Sequence, residues 1–127
     1  MLNRADKAAV NHWRKGIELR PDDLEYLPNL ALLLAASWDD SVRNGKDAAK
    51  FAEKAVALSG GHDPNILGIQ AAAEAEAGHY FKAQAIAGDA IRAADAQQRT
   101  ELADQIRERL KLYEAGKPYH APRPERK

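Results

Sequence analysis

The chain has 127 residues, which suits one domain, and it balances 19 Lys and Arg against 19 Asp and Glu, so it lacks the basic excess that marks a nucleic-acid binder. It has no cysteine, which excludes disulfides and thiolate metal sites. Apolar residues make up 45% but aromatics only 6%; much of the apolar content is alanine, a strong helix former, and no stretch reaches the ~20 apolar residues of a membrane-spanning helix.

The first ten residues carry Arg4, Asp6 and Lys7 and no apolar run, so no secretory signal is expected and the cytoplasm is the default location. Asn3 is a candidate cap for a first helix, with Asp6 as a weak capping box. Val10, Trp13, Gly16 and Ile17 then recur at helical spacing up to Leu19. Pro21 blocks continuation because it lacks an N–H and fixes φ, and Asp22 and Asp23 are residue types that cap a new helix. That second helix shows Leu27, Leu30, Leu33 and Leu34. Pro28 is tolerated only in a first turn, so regular helix is expected from near Leu27. Ser37 to Asn44 has no clear periodicity and is expected as a loop. Asn44 and Asp47 can cap a third helix with Phe51, Ala52, Ala55, Val56 and Leu58, ended by Gly60 and Gly61.

Asp63 followed by Pro64 is a strong restart: a capping carboxylate, then proline at the first helical position. The fourth helix is expected from about Pro64 to Ala77, stopping at Gly78, and the fifth from about Tyr80 to Ala94. The sixth runs from about Gln98 to Ala115, with Leu102, Ile106, Leu110 and Tyr113 on one stripe. Gly116 fits the left-handed position after a helix and Pro118 blocks continuation. Residues 118–127 are rich in proline and charge and are expected to form a disordered tail.

Three segments share one internal spacing: a small residue, another mark four on, a third mark three on, then an apolar residue. Ala9, Trp13, Gly16 and Ile17 fit it, as do Ala48, Ala52, Ala55 and Val56, and Ala83, Ala87, Ala90 and Ile91. Ala48 and Ala83 lie 35 residues apart and Ala9 and Ala48 lie 39, which points to a unit of ~34 residues with one short insertion. This pattern resembles the tetratricopeptide repeat, over nearly the whole chain. It is similar to C-terminal tetratricopeptide segments of bacterial multi-repeat proteins, which carry a long loop before Asn-Gly, an Asp-Pro helix start, and a closing motif like Tyr113, Gly116, Pro118 and Tyr119.

The resemblance implies an all-α fold, an α-solenoid of antiparallel helix pairs amounting to about two and a half units, over residues 1–117. Helix B of a first repeat is then 4–19. The second repeat is 24–61, its inter-helix turn lengthened through Trp38 and Arg43. The third is 63–95, followed by a capping helix over 97–115.

His12, His62, His79 and His120 are scattered, with no metal-ligand spacing, and no glycine-rich phosphate pattern occurs. No catalytic, cofactor-binding or metal-binding residue is expected, and His79 is taken as solvated. Trp13 falls at a core packing position. Trp38 lies in the inserted loop, either as a lid over the hydrophobic seam or as a partner contact. Glu74, on an alanine-rich face, is expected to turn to solvent rather than pair with an arginine such as Arg43.

By resemblance, the first helix of each pair lines an inner groove. That places Glu25, Pro28, Leu32, Ala35 and Ala36 there, with Trp38 beside them, then Asn65, Gly68, Ala72, Ala75 and Glu76. With Asn65 alone, the set lacks what clamps a peptide carboxylate. The resemblance thus implies a non-catalytic protein–protein interaction module that holds a partner helix or segment in a shallow, mildly apolar groove, with no nucleic acid and no membrane insertion. Two other expectations stand beside it. One is a structural or assembly subunit that self-associates or docks through an N-terminal face of Ala5, Ala9 and Trp13. The other is a C-terminal appendage of a larger bacterial enzyme.

Overall fold

Six α-helices and no strand are present among residues 5–124, the residues that the computed structural model describes. They are α1 (Ala5–Leu19), α2 (Tyr26–Ala36), α3 (Gly45–Leu58), α4 (Pro64–Glu76), α5 (Tyr80–Ala96) and α6 (Thr100–Glu114). Side-chain caps set several of the helix starts. The Asp23 carboxylate accepts from the backbone N–H of Glu25 at 2.7 Å and of Tyr26 at 3.3 Å. Asn44 accepts from the Asp47 N–H at 3.1 Å, and Asp63 accepts from Asn65 and Ile66 at 2.9 and 3.2 Å. Each such cap contributes about 1 kcal/mol by satisfying donors that the first helical turn leaves open. Pro28 sits in the first turn of α2, where its missing N–H costs nothing.

The expected first cap, Asn3, lies outside the described residues; Asp6, expected beside it, accepts from the Ser37 hydroxyl at 2.6 Å. One expectation about helix ends needs correction. The sixth helix starts at Thr100 rather than Gln98, and α5 extends to Ala96. Gln98 takes a left-handed φ of 60°, and the Arg99 N–H closes back on the Ala94 carbonyl at 2.9 Å. This is a glycine-type helix terminus built without glycine, a signal the residue type hides.

The helices pack with α4 at the centre. It contacts α2, α3, α5 and α6, while α1 packs on α2. Every α4 residue except Asn65 and Glu76 is buried. A helix enclosed on all sides must be thin, and Gly68, Ala71, Ala72, Ala73 and Ala75 make it so. The facing helices answer with the residues of the shared spacing: Ala48, Ala52 and Ala55 on α3, and Ala83, Ala87 and Ala90 on α5, each fully buried. Gly45 lets the start of α3 abut the end of α4, since a Cβ there would stand 2.7 Å from the Ala77 nitrogen. The larger core side chains are Leu27, Leu30 and Leu34 of α2, and Ile106 and Tyr113 of α6. Each buried leucine contributes roughly 1.5–3 kcal/mol.

Trp13 and Ile17 are partly buried against this core, which agrees with their helical register. The core marks can be tested by size. Ala55 is fully buried and touches the cluster of Leu27 and Ile66, whereas Ala57 is exposed. Ala55→Leu should overpack the interface and destabilise the fold by about 1–3 kcal/mol, while Ala57→Leu should change it by less than about 0.5 kcal/mol. Urea denaturation midpoints check this, and equal midpoints would contradict the packing register.

Candidate functional site

The C-terminal ends of α2, α4 and α6 lie along one edge, and the chain after α6 crosses all three. A helix C-terminus leaves carbonyls without intrahelical partners, so these ends are acceptors in search of donors. The segment Lys117–Pro124 supplies some of them. Tyr119 lies beneath the Arg109 guanidinium, 4.2 Å from guanidinium carbon to ring centroid, next to Leu112. His120 Nε2 meets the Glu76 carboxylate at 2.6 Å. The Ala121 N–H donates to the carbonyl of Ala36, the last residue of α2, at 2.7 Å. Arg123 stacks over the Trp38 ring at 5.1 Å. Residues 118–124, expected as part of a disordered tail, are thus held against the helices; residues 125–127 lie outside the described residues. Composition favoured disorder here, but Pro118 and Pro122 narrow the conformations that the segment must give up, and the helix ends provide partners.

Arg43 ties the same edge together from inside the α2–α3 loop. Its guanidinium donates to the Ser37 carbonyl at 2.5 Å, pairs with Asp40, and stands 3.4 Å from Glu76. Ser37 reaches Asp6 of α1, so one polar chain runs from α1 through the loop to α4 and on to His120. The neighbouring Asp39 accepts from the Ser41 hydroxyl at 2.7 Å and its N–H at 3.0 Å, and these bonds hold its carboxyl below the usual range.

The structure distributes the sequence-derived groove residues unevenly. Glu25 and Asn65 are exposed, and Leu32 is partly buried on α2. Pro28, Ala35, Ala36, Ala72 and Ala75 are buried, and a Cβ on Gly68 would meet Ile106 of α6 at 3.2 Å. Those side chains serve helix packing, because α2, α4 and α6 pack over the face that the resemblance assigned to a groove. Trp38 and Glu76 are half-buried under the crossing segment. On the N-terminal face Ala5 is exposed, and Ala9 and Trp13 are half-buried.

Glu74 departs from its expected exposure. It is only 2% exposed, with His79 Nδ1 at 2.8 Å and Lys82 Nζ at 3.3 Å from its two oxygens. The α4–α5 turn brings the His79 ring and the Lys82 ammonium over it, so the carboxylate is paired rather than stranded; Arg43, the partner considered from sequence, is engaged with Glu76 instead. His79 itself stays mostly exposed, as expected, apart from this contact. Sequence reasoning also passed over Arg109, Arg123 and Phe81, the last 89% exposed at the start of α5. The signal available for the first two was the aromatic residue Tyr119 set between prolines and cations.

No family model, curated protein or solved structure matches the chain, so the functional reading rests on its own geometry.

Tyr113 anchors α6 beneath this edge. It is 1% exposed, its hydroxyl has no hydrogen-bond partner among the described residues, and burial pushes its pKa up to about 12. Its folded pKa lies above the unfolded value of about 10, so its contribution is complete below pH 10 and is lost as pH climbs toward 12. Tyr113→Phe should leave stability at pH 7 within about 1 kcal/mol of wild type and reduce the alkaline loss between pH 10 and 12. Thermal melts across that range check it; an unchanged alkaline limb in the variant would contradict the assignment.

Proposed function

We propose that the chain is a non-catalytic protein–protein interaction module, built as a tetratricopeptide-like α-solenoid, that holds a helix or segment of a partner protein. The observation that carries this reading is the open stripe on α2. Glu25 and Asn29 are exposed and Leu32 is partly exposed, and the stripe leads to the loop residue Trp38 at the edge where a chain segment already lies. These positions are spaced four, then three residues apart, so they share one helix face. An apolar position that follows two polar ones along this face, beside α4, suits an amphipathic partner laid along α2.

The enclosed α4 supports the same reading, because it makes α2 a fixed platform rather than a free helix. The surface is small, in the class of modest interfaces of ~600–800 Å² per partner. A second reading, docking or self-association through α1, is favoured by one observation: Leu19 at its end is 84% exposed while Trp13 is only half-buried.

Affinity capture from native lysate, with wild type, Leu32→Asp and Leu19→Asp as baits, separates the two. The main reading expects a specific partner lost on Leu32→Asp and retained on Leu19→Asp, with both variants as helical as wild type. Retention by Leu32→Asp together with loss on Leu19→Asp would move the function to α1.

A further inference from the structure

We propose that the joined C-terminal ends of α2, α4 and α6 form a binding site for an extended segment of a partner protein that carries an aromatic residue followed four positions on by an arginine. The chain's own Tyr119 and Arg123 hold this site until such a partner displaces them. The inference rests on the reading of the chain as an interaction module, and it names a site and a partner chemistry which that reading does not.

The chemistry of the site is visible in how its present occupant is held. Arg109 and Leu112 form a slot in which the Tyr119 ring lies under a guanidinium. Glu76 is a carboxylate acceptor at the middle position, 2.6 Å from His120. The Ala36 carbonyl accepts a backbone N–H, a contact available to any extended segment whatever its side chains. Trp38 offers a ring face to a cation, and Arg123 occupies it. Asp39 and Asp40 border the same depression with Arg43, which pairs with Asp40, so the far end of the site holds one carboxylate in excess to face an arginine. The order along the site is therefore aromatic, imidazole, backbone donor, arginine.

The occupant is held lightly enough to be exchanged. Beyond the Lys117 N–H bond to Leu112, which belongs to the end of α6 itself, it makes one backbone hydrogen bond to another helix end, and its side-chain contacts are partly solvated: His120, Pro122 and Arg123 are exposed. Its advantage is that it is tethered. A segment joined to the site acts at a high effective concentration, so a partner segment must either bind better or wait for release. Trp38 reports on the exchange, because Arg123 lies on its ring.

The test uses the full chain in a Trp13→Phe background, so that Trp38 is the fluorophore. The probe is a synthetic peptide with the sequence of residues 117–124. Ala121→Pro removes the N–H that bonds Ala36 and releases the tethered segment; Arg123→Ala, at an exposed position, is a second route to release. The peptide should change Trp38 emission saturably in both released chains, with a Kd about tenfold lower than in the unreleased chain. Peptides with alanine in place of the tyrosine or the arginine should lose about the same factor. No saturable response in released chains of unchanged helix content would overturn the site. Equal affinity in released and unreleased chains would overturn the competition. A wild-type mass that rises with concentration and falls back on Ala121→Pro would assign the site to the segment of a second copy, against a separate partner. Partner capture lost on Leu32→Asp alongside a failed peptide titration would leave the interaction reading standing and remove only this site.

Discussion

The enclosure of α4 is the constraint on which the remaining structure depends. A helix surrounded by α2, α3, α5 and α6 cannot carry large side chains on every face and still let its neighbours approach. Alanine and glycine on α4, met by Ala48, Ala52 and Ala55 from one side and Ala83, Ala87 and Ala90 from the other, solve that problem. The solution has a cost. Each alanine removes little apolar area from water, so the driving force per residue is small. A few larger residues, Leu27, Leu30, Leu34, Ile106 and Tyr113, carry a large part of the burial, and they lie on the helices that flank α4.

A thin core shifts definition to the helix ends. Asp23, Asn44 and Asp63 fix where α2, α3 and α4 begin. Arg43 fixes how the α2–α3 loop meets the end of α4, because its guanidinium faces Asp40, Glu76 and the Ser37 carbonyl at once. Glu74 does the same at the next turn. Its carboxylate sits in the packed interior, where an unpaired charge would be costly, and His79 and Lys82 from the α5 end close over it. Exposed pairs such as Arg92 with Asp89 matter less, since solvent screens them.

The same economy shapes the surface. With α4 buried and the expected groove positions spent on packing, the accessible part of the row α2, α4 and α6 reduces to α2 and the helix ends. The helix ends concentrate carbonyls, carboxylates and one tryptophan ring at a single edge. An extended chain can meet all of these with one strand of backbone and a few side chains. The segment after α6 does so within the molecule, which makes this edge the most chemically articulate surface among the described residues.

Much of the fold was legible in the sequence, because it is written in local chemistry. Proline and aspartate spacing marked the helix starts, the small-residue register marked the close faces, and the stripe of Leu102, Ile106, Leu110 and Tyr113 marked the inner face of α6. Those signals act between residues a few positions apart. The candidate site was less legible, for the opposite reason. The resemblance places Ala36 and Ala72 in an open groove, because a repeat pattern gives a helix face but not what closes over it. Glu74 was assigned to solvent because its partners come from across a turn. Residues 118–124 were assigned to disorder because their partners, Arg109, Glu76, Ala36 and Trp38, lie on three different helices and a loop. The sequence by itself determined the helices, their caps and their small-residue faces. Only the tertiary structure decided which face is enclosed, which charges meet and where the proline-rich segment rests, since each of these depends on groups brought together from distant parts of the chain.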